Sequence, residues 1–295
     1  MRLSRTTRLA AAFLLAGTLA SCGDAGSDET EGADVEVAED TDFPQGSTMA
    51  ELSNAGEITI GVKYDQPGIG FKSAASDVPE GFDIEMAKYV AGALGIPEDG
   101  ITWEETITDN REPYLMQGVV DLVAASYSIT PERQKVVGQA GPYFVTGQQL
   151  LVRKDNDTIE GPEDVQGKEI CSVTGSTSID TIEKEYGAKA RGFSTYSECV
   201  EQVLNGSFDA MTTDGTILLG YAAENPDELE VVGPEFSEEN IGFGYPDPDD
   251  TEMCEFLSDT IQESYADGSW EKAFNATLGQ AGVEAPEPPK VQPCK

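Results

Sequence analysis

Tyr143-Phe144-Val145-Thr146-Gly147-Gln148-Gln149-Leu150-Leu151-Val152-Arg153 is a long β-type run, and it divides the chain into two series of strand–helix units. Upstream, residues 57–62 form a short β-rich run. Gly81-Phe82-Asp83 then leads into residues 84–94, where Ile84, Ala87, Lys88, Ala91 and Leu94 keep helical spacing until Gly95. A strand at 101–103, a helix at 111–118 and an apolar strand at 121–125 repeat the unit. Downstream of the polar stretch 154–157 the pattern resumes. Strands are expected at 168–173, 190–193, 209–213 and 230–232, and helices at 178–186, 197–205 and 215–223. Residues 241–245 form a second extended run, followed by amphipathic helices at 252–266 and 269–278 with Gly268 between them.

Crossover helices between strands imply a parallel sheet with helices on its faces, so the fold class is α/β. The chain is expected to leave a first lobe, build a second and return. Residues 143–153 and 241–245 would then be two hinge strands. The expected parts are a leader at 1–21, an acidic tether at 22–48, lobe one from 49–147 with 245–295, and lobe two at 148–244. In open α/β sheets ligands bind beyond the carboxyl ends of the strands, which places the pocket between the lobes.

Composition narrows the chemistry. The 295 residues carry 18 Lys and Arg against 55 Asp and Glu, no His, and a net charge of −37. Without His there is no Ser-His-Asp or Cys-His nucleophilic site and no His-ligated metal centre. So acidic a chain repels phosphate backbones, which excludes nucleic acid as a partner. A hydrophobic fraction of 39% suffices for a real core. Gly68-Ile69-Gly70 lacks the third Gly of a dinucleotide loop, and no Walker pattern is present. Asp155-Asn156-Asp157 begins like a calcium loop but has its Gly one place late and Gln166 at the twelfth. No metal or cofactor is expected.

The N-terminus reads as an address. Arg2, Arg5 and Arg8 precede an apolar run at 9–20, too short for the roughly 20 residues that span a bilayer. It ends in Leu19-Ala20-Ser21-Cys22-Gly23, which resembles the bacterial lipobox, in which cleavage precedes the Cys and the Cys is lipid-modified. Cys22 is therefore the expected lipidation site, placing the protein outside the cytoplasm on the outer face of the cell membrane. Between Gly23 and Pro44 stand nine acids and no Lys or Arg, a self-repelling extended tether. Taking the three leader Arg from −37 leaves −40, and setting the tether's nine acids aside leaves −31 on the folded part.

Apart from Cys22, the cysteines are Cys171, Cys199, Cys254 and Cys294. An even number in an oxidising compartment reads as two disulfides among three pairings. The favoured pairing is Cys171 with Cys199 and Cys254 with Cys294, because each pair lies within one lobe and closes a short loop. The second bond would pin the Pro-rich tail at 285–289.

Several strings, in order, resemble the family 3 extracellular solute-binding proteins of amino-acid ABC importers. They are Ile60-Gly61-Val62-Lys63-Tyr64-Asp65-Gln66-Pro67-Gly68, Gly81-Phe82-Asp83-Ile84-Glu85-Met86-Ala87 and Ser126-Tyr127-Ser128-Ile129-Thr130-Pro131-Glu132-Arg133. Further on come Gly141-Pro142-Tyr143, Thr174-Gly175-Ser176-Thr177-Ser178, Asp209-Ala210-Met211-Thr212-Thr213-Asp214 and Tyr265-Ala266-Asp267-Gly268-Ser269-Trp270. The resemblance spans about Leu52 to Leu278, and its first and third strings look most like glutamate-binding lipoproteins of high-GC Gram-positive bacteria. It implies a type II periplasmic-binding-protein-like fold, two βα lobes joined by two hinge strands.

The resemblance also implies a site. Arg133 matches the Arg that takes the ligand α-carboxylate bidentately, with Ser128 and the backbone near Ser126 as further donors. Asp214 matches the carboxylate that receives the ammonium from the other lobe. Ser176 or Thr177, beside Gly175 at a helix start, offers hydroxyl and backbone N–H to the carboxylate. Arg111 aligns with an Arg that contacts the side-chain carboxylate in glutamate/aspartate-binding relatives, and Lys63 sits where those relatives place another basic residue. Tyr196 and Tyr64 stand near strand ends where the cleft would lie.

The implied function is a monomeric, lipid-anchored binding protein that closes on a free acidic amino acid and delivers it to ABC permease subunits. Glutamine or asparagine ranks second as ligand, and a membrane sensor receptor is the alternative partner. Some relatives of the fold are dehydratases, but an intact Arg133 and Asp214 pair suits holding a zwitterion, so no enzyme is expected.

Overall fold

A computed structural model describes residues 35–39 and 41–294. Residues 1–34, 40 and 295 lie outside the described residues, and with them the expected leader, the expected lipidation site Cys22 and most of the expected tether. Helix α1 (Thr48–Ala55) begins where the Ser47 hydroxyl accepts from Ala50 N, and it ends where Gly56 turns left-handed. Strand β1 (Ile58–Val62) is followed by the short pair β2 (Asp65–Gln66) and β3 (Gly70–Phe71), helix α2 (Phe82–Ala93), β4 (Ile101–Glu105), α3 (Arg111–Met116) and β5 (Leu122–Ala124). Strands β6 (Gly138–Thr146) and β7 (Gln148–Arg153) then form nearly one extended run, broken only at Gly147. The second series comprises β8 (Glu169–Val173), α4 (Thr177–Lys184), β9 (Lys189–Phe193), α5 (Tyr196–Leu204), β10 (Ala210–Asp214), α6 (Gly215–Glu224) and β11 (Leu229–Val232). The chain returns through β12 (Glu239–Tyr245) to α7 (Thr251–Asp267) and α8 (Ser269–Ala276).

Two five-stranded sheets result, ordered β4-β1-β5-β12-β6 and β11-β7-β10-β8-β9. The strands joined by crossover helices are parallel, as expected: β1 with β4 and β5, and β8 with β9 and β10. The transit strands are not, since β12 runs antiparallel to β5 and β6, and β7 antiparallel to β10 and β11. The expectation of parallel sheets is therefore corrected to mixed ones. A crossover helix imposes parallel direction only on the strands it connects, and the transit strands have none.

Strand β12 also moves a boundary. All of its ladder partners lie in the first sheet, so residues 239–244, assigned from sequence to the second lobe, belong with the first. The return crossing is residues 233–238, running beside Gly147. There Gln148 N donates to the Ser237 hydroxyl at 3.0 Å and Phe236 N to Gln148 O at 3.0 Å. A Cβ at Gly147 would overlap Glu235 and Ser237, so a close approach of the two crossings requires this Gly.

The core of the first lobe centres on Phe82, whose ring meets those of Tyr143, Phe144, Trp270 and Phe274 at 5.6–6.1 Å. The C-terminal helices thus pack against the start of α2, and Trp270 Nε1 donates to Tyr143 O at 2.8 Å. Both expected disulfides are present, Cys171–Cys199 and Cys254–Cys294. The second ties the tail to α7, and Gln292 N donates to Gly141 O at 2.7 Å. The acidic segment is not wholly a free tether. Ala38 N donates to Gly92 O on α2, and the Phe43 ring meets Phe256 of α7 edge-on at 5.5 Å, so its last residues dock on the first lobe.

Gly81 opens α2 at φ +125, a backbone region that L side chains rarely adopt, and a Cβ there would overlap the Ile69 backbone. Gly81→Ala is expected to destabilise the fold by about 1–3 kcal/mol. Urea unfolding measures this, and a loss below about 0.5 kcal/mol would mean the Ile69 loop yields freely.

Candidate functional site

Residues at or just beyond the carboxyl ends of β5, β8 and β10 meet between the lobes, as open α/β sheets favour. A small cavity lies there, lined from both sides. The first lobe contributes Gln66, Thr108, Arg111, Ser126, Ser128 and Arg133, and the second Ser176, Thr177, Ser178, Tyr196, Thr213 and Asp214.

The first wall is built around Ser126, which follows β5 at φ +45, a left-handed conformation unusual for a non-Gly residue. It is held from three sides. Its N–H donates to Asp83 Oδ2 at 2.7 Å, its carbonyl accepts from Arg111 Nη1 at 3.0 Å, and its hydroxyl donates to Gln66 Oε1 at 2.6 Å. Asp83 sits in the first turn of α2 and also accepts from the Tyr143 hydroxyl at 2.7 Å. Burial raises the Asp83 pKa to about 6, against the pull of those two hydrogen bonds.

Arg111 opens α3 and is buried. Its Nε donates to Thr108 O and its Nη1 also to Ala125 O, both at 3.1 Å. The guanidinium lies 4.6 Å from the Tyr127 ring centroid, and burial, then the Arg133 charge, lower its pKa to about 10. No carboxylate pairs with Arg111 among the described residues, and its Nη2 has no protein partner there. Arg133 differs. Its Nε pairs with Glu112 Oε1 at 3.1 Å, Nη1 donates to Ser128 O at 2.8 Å, and Nη2 crosses to Gly175 O of the second lobe at 3.0 Å. Both guanidiniums lie over the Tyr127 ring, a cation–π arrangement that keeps two like charges in one wall.

The second wall is set by α4 and β10. The Ser176 hydroxyl caps α4 by accepting from Ile179 N at 3.1 Å and lies 3.2 Å from the Ser172 hydroxyl. The Thr177 hydroxyl donates to Glu239 Oε2 at 3.3 Å. The first N–H groups of α4 therefore stand at the cavity, where helix geometry leaves them without intrahelical partners and favours an anion. Tyr196 closes one side, its N–H donating to Asp65 Oδ2 across the cleft at 2.7 Å and its phenol oxygen accepting from the Thr213 hydroxyl at 2.6 Å.

Asp214 ends β10, is only 5% exposed, and has neither a side-chain hydrogen bond nor an ion pair among the described residues. Burial and then the Glu239 charge raise its pKa to about 8, overcoming the opposing pull of Arg111 and Arg133. A buried carboxylate without a partner is costly and calls for a cation.

Eight of the nine expected ligand residues line one cavity: Arg133, Asp214, Arg111, Ser128, Ser126, Ser176, Thr177 and Tyr196. Lys63 does not. Its buried ammonium donates to Thr108 Oγ1 at 2.7 Å, with its pKa lowered to about 7 by burial and by Arg111, so it stands behind the wall. The Ser176 hydroxyl likewise serves the helix cap. Sequence reasoning missed Gln66, Thr108, Ser178 and Thr213 in the lining and Asp83, Glu112 and Tyr127 as supports. Gln66 and Tyr127 lie inside strings already quoted, but amides and strand-end aromatics carry no distinguishing pattern.

The sequence profile of the bacterial extracellular solute-binding proteins, family 3, matches residues 58–280, which takes in both sheets and every lining residue. The chain belongs to this family. This solute-binding protein is 39% identical over 289 residues to the glutamate-binding protein GluB of Corynebacterium efficiens, covering 93% of this chain and 92% of the relative. It is 31% identical over 268 residues to the ABC transporter glutamine-binding protein GlnH of Bacillus subtilis, covering 90% and 94%. Among solved structures it resembles the ancestral amino acid-binding protein AncCDT-1, a precursor of cyclohexadienyl dehydratase. That match has 31% identity and a TM-score of 0.71, covering 79% of this chain and all of the other. Like the family, it is an extracellular protein, and no described helix is long and apolar enough to cross a membrane.

Proposed function

We propose that this solute-binding protein captures glutamate or aspartate by lobe closure and hands it to an ABC permease. The carrying observation is a pair of buried ionisable groups on opposite walls of one cavity. Arg111 has no carboxylate partner and Asp214 no cation among the described residues. An acidic amino acid matches both, its ammonium going to Asp214 and its side-chain carboxylate to Arg111. Its α-carboxylate lies with the remaining N–H groups of Arg133 and the start of α4. Contacts to both lobes are what allow a ligand to shift an open–closed equilibrium. Lys63, expected to touch the ligand, here positions Thr108. Glutamine, the ligand named for the GlnH relative, would leave Arg111 unpaired.

Cys22 would carry the lipid that holds the monomeric protein at the outer face of the membrane. A carrier rather than an enzyme would release its ligand chemically unchanged after long incubation. Titration calorimetry of residues 23–295, unfolded and refolded to strip carried-over ligand, tests the reading. Tight binding of glutamate or aspartate over glutamine and arginine is expected, and preference for a neutral or cationic amino acid would sink it. Reconstitution with a permease or with a sensor receptor separates import from signalling.

Affinity should depend on pH. In the ligand-free cavity Asp214 holds its proton below about pH 8, whereas a bound ammonium favours the carboxylate, so binding expels a proton. The sign follows: affinity falls as pH falls, by roughly five- to tenfold from pH 8.5 to 7. Calorimetry in buffers of different ionisation enthalpy reads the released proton, and a flat affinity with no buffer-dependent heat would contradict the assignment.

A further inference from the structure

We propose that Gln66 is a specificity-determining residue whose side-chain N–H donates to the side-chain carboxylate of the ligand. This rests on the acidic amino-acid reading and deepens it. Gln66 ends β2, is fully buried and lines the cavity. Its Oε1 accepts from the Ser126 hydroxyl at 2.6 Å, which orients the amide, while its Nε2 is a buried donor without a hydrogen-bond partner. Buried amide groups are nearly always satisfied, so an orphaned donor in a cavity wall marks the place of an absent acceptor.

Two neighbours on the same wall share that polarity. Thr108 Oγ1 accepts from Lys63 Nζ, which leaves its own O–H free to donate, and Arg111 Nη2 is a donor without a protein partner among the described residues. Three donors, one of them a charged guanidinium, suit a carboxylate, whose oxygens only accept, better than a carboxamide, whose NH2 would have only hydroxyl oxygens such as those of Ser126 and Ser128 to donate to on this wall. A site built of such groups discriminates strongly, because the wrong ligand leaves buried polar atoms unpaired.

The test is calorimetry of the full chain carrying Gln66→Glu or Gln66→Met, each titrated with glutamate and glutamine. Gln66→Glu replaces the donor by an acceptor and should weaken glutamate at least 100-fold while weakening glutamine less or strengthening it. Gln66→Met keeps the length without the donor and should weaken glutamate about tenfold more than glutamine, which keeps the idea testable if the buried acid prevents folding. If wild type binds glutamate but both folded variants leave the glutamate-to-glutamine ratio unchanged, Gln66 is structural and this inference alone falls. If wild type binds neither glutamate nor aspartate, the acidic-ligand reading falls with it.

Discussion

Asp214→Asn is expected to make the ligand-free protein more stable and nearly unable to bind. The carboxylate is buried beside Glu239 without a partner among the described residues, so ionising it in the fold is unfavourable. Its pKa rises from 3.8 to about 8, so the penalty is absent below about pH 4, grows as pH rises and levels off above about 8. An isosteric amide removes that penalty, and at pH 7 the gain should be about 1–3 kcal/mol. At pH 3, where Asp is protonated in both folded and unfolded states, the two proteins should unfold alike. Binding moves the other way, because the ligand ammonium loses its counter-charge in a water-excluded cavity, about 2–5 kcal/mol or roughly 30- to 5,000-fold. Urea unfolding at the two pH values and calorimetry with glutamate measure both arms. A variant that is less stable at pH 7, or that binds as well as wild type, would refute the role given to Asp214.

Arg111→Gln is expected to cost glutamate and aspartate about 2–5 kcal/mol of binding, and glutamine distinctly less. The difference carries the meaning. Arg111 also braces the Ser126 loop through Thr108 O, Ala125 O and Ser126 O, so every ligand should suffer somewhat from its loss. Only a ligand with a side-chain carboxylate loses the charge that Nη2 offers into the cavity. A shift of at least tenfold in the glutamate-to-glutamine ratio would assign Arg111 to specificity. Equal losses, with the fold intact by circular dichroism, would make it a brace alone.

Much of the architecture was legible in the chain because it is written in local pattern. Helical spacing at 84–94, β-rich runs alternating with helices, and the extended run at 143–153 all recur as elements of the fold. The disulfides followed because each pair sits within one lobe, and both formed as favoured. Antiparallel pairing of β7 and β12 was not legible, since strand direction depends on which neighbour arrives from elsewhere. Among site residues, Arg133, Asp214 and Lys63 were recognisable by their place in family-like strings and Arg111 by its alignment with relatives, and all but Lys63 reached the cavity wall.

The sequence by itself determined the two series of strand–helix units, the transit run between them, the exclusion of His-based chemistry and the set of charges available to a ligand. Those properties depend on residue type and spacing along one stretch of chain. Only the tertiary structure decided which charges stay unpaired. Arg133 meets Glu112 and Gly175, Lys63 meets Thr108, and Asp65 meets Tyr196, whereas Asp214 and one nitrogen each of Arg111 and Gln66 find no partner among the described residues. Those partners lie up to 131 residues apart, and a side chain's hydrogen bonding is settled only when folding brings distant segments together and removes the water that would otherwise satisfy them.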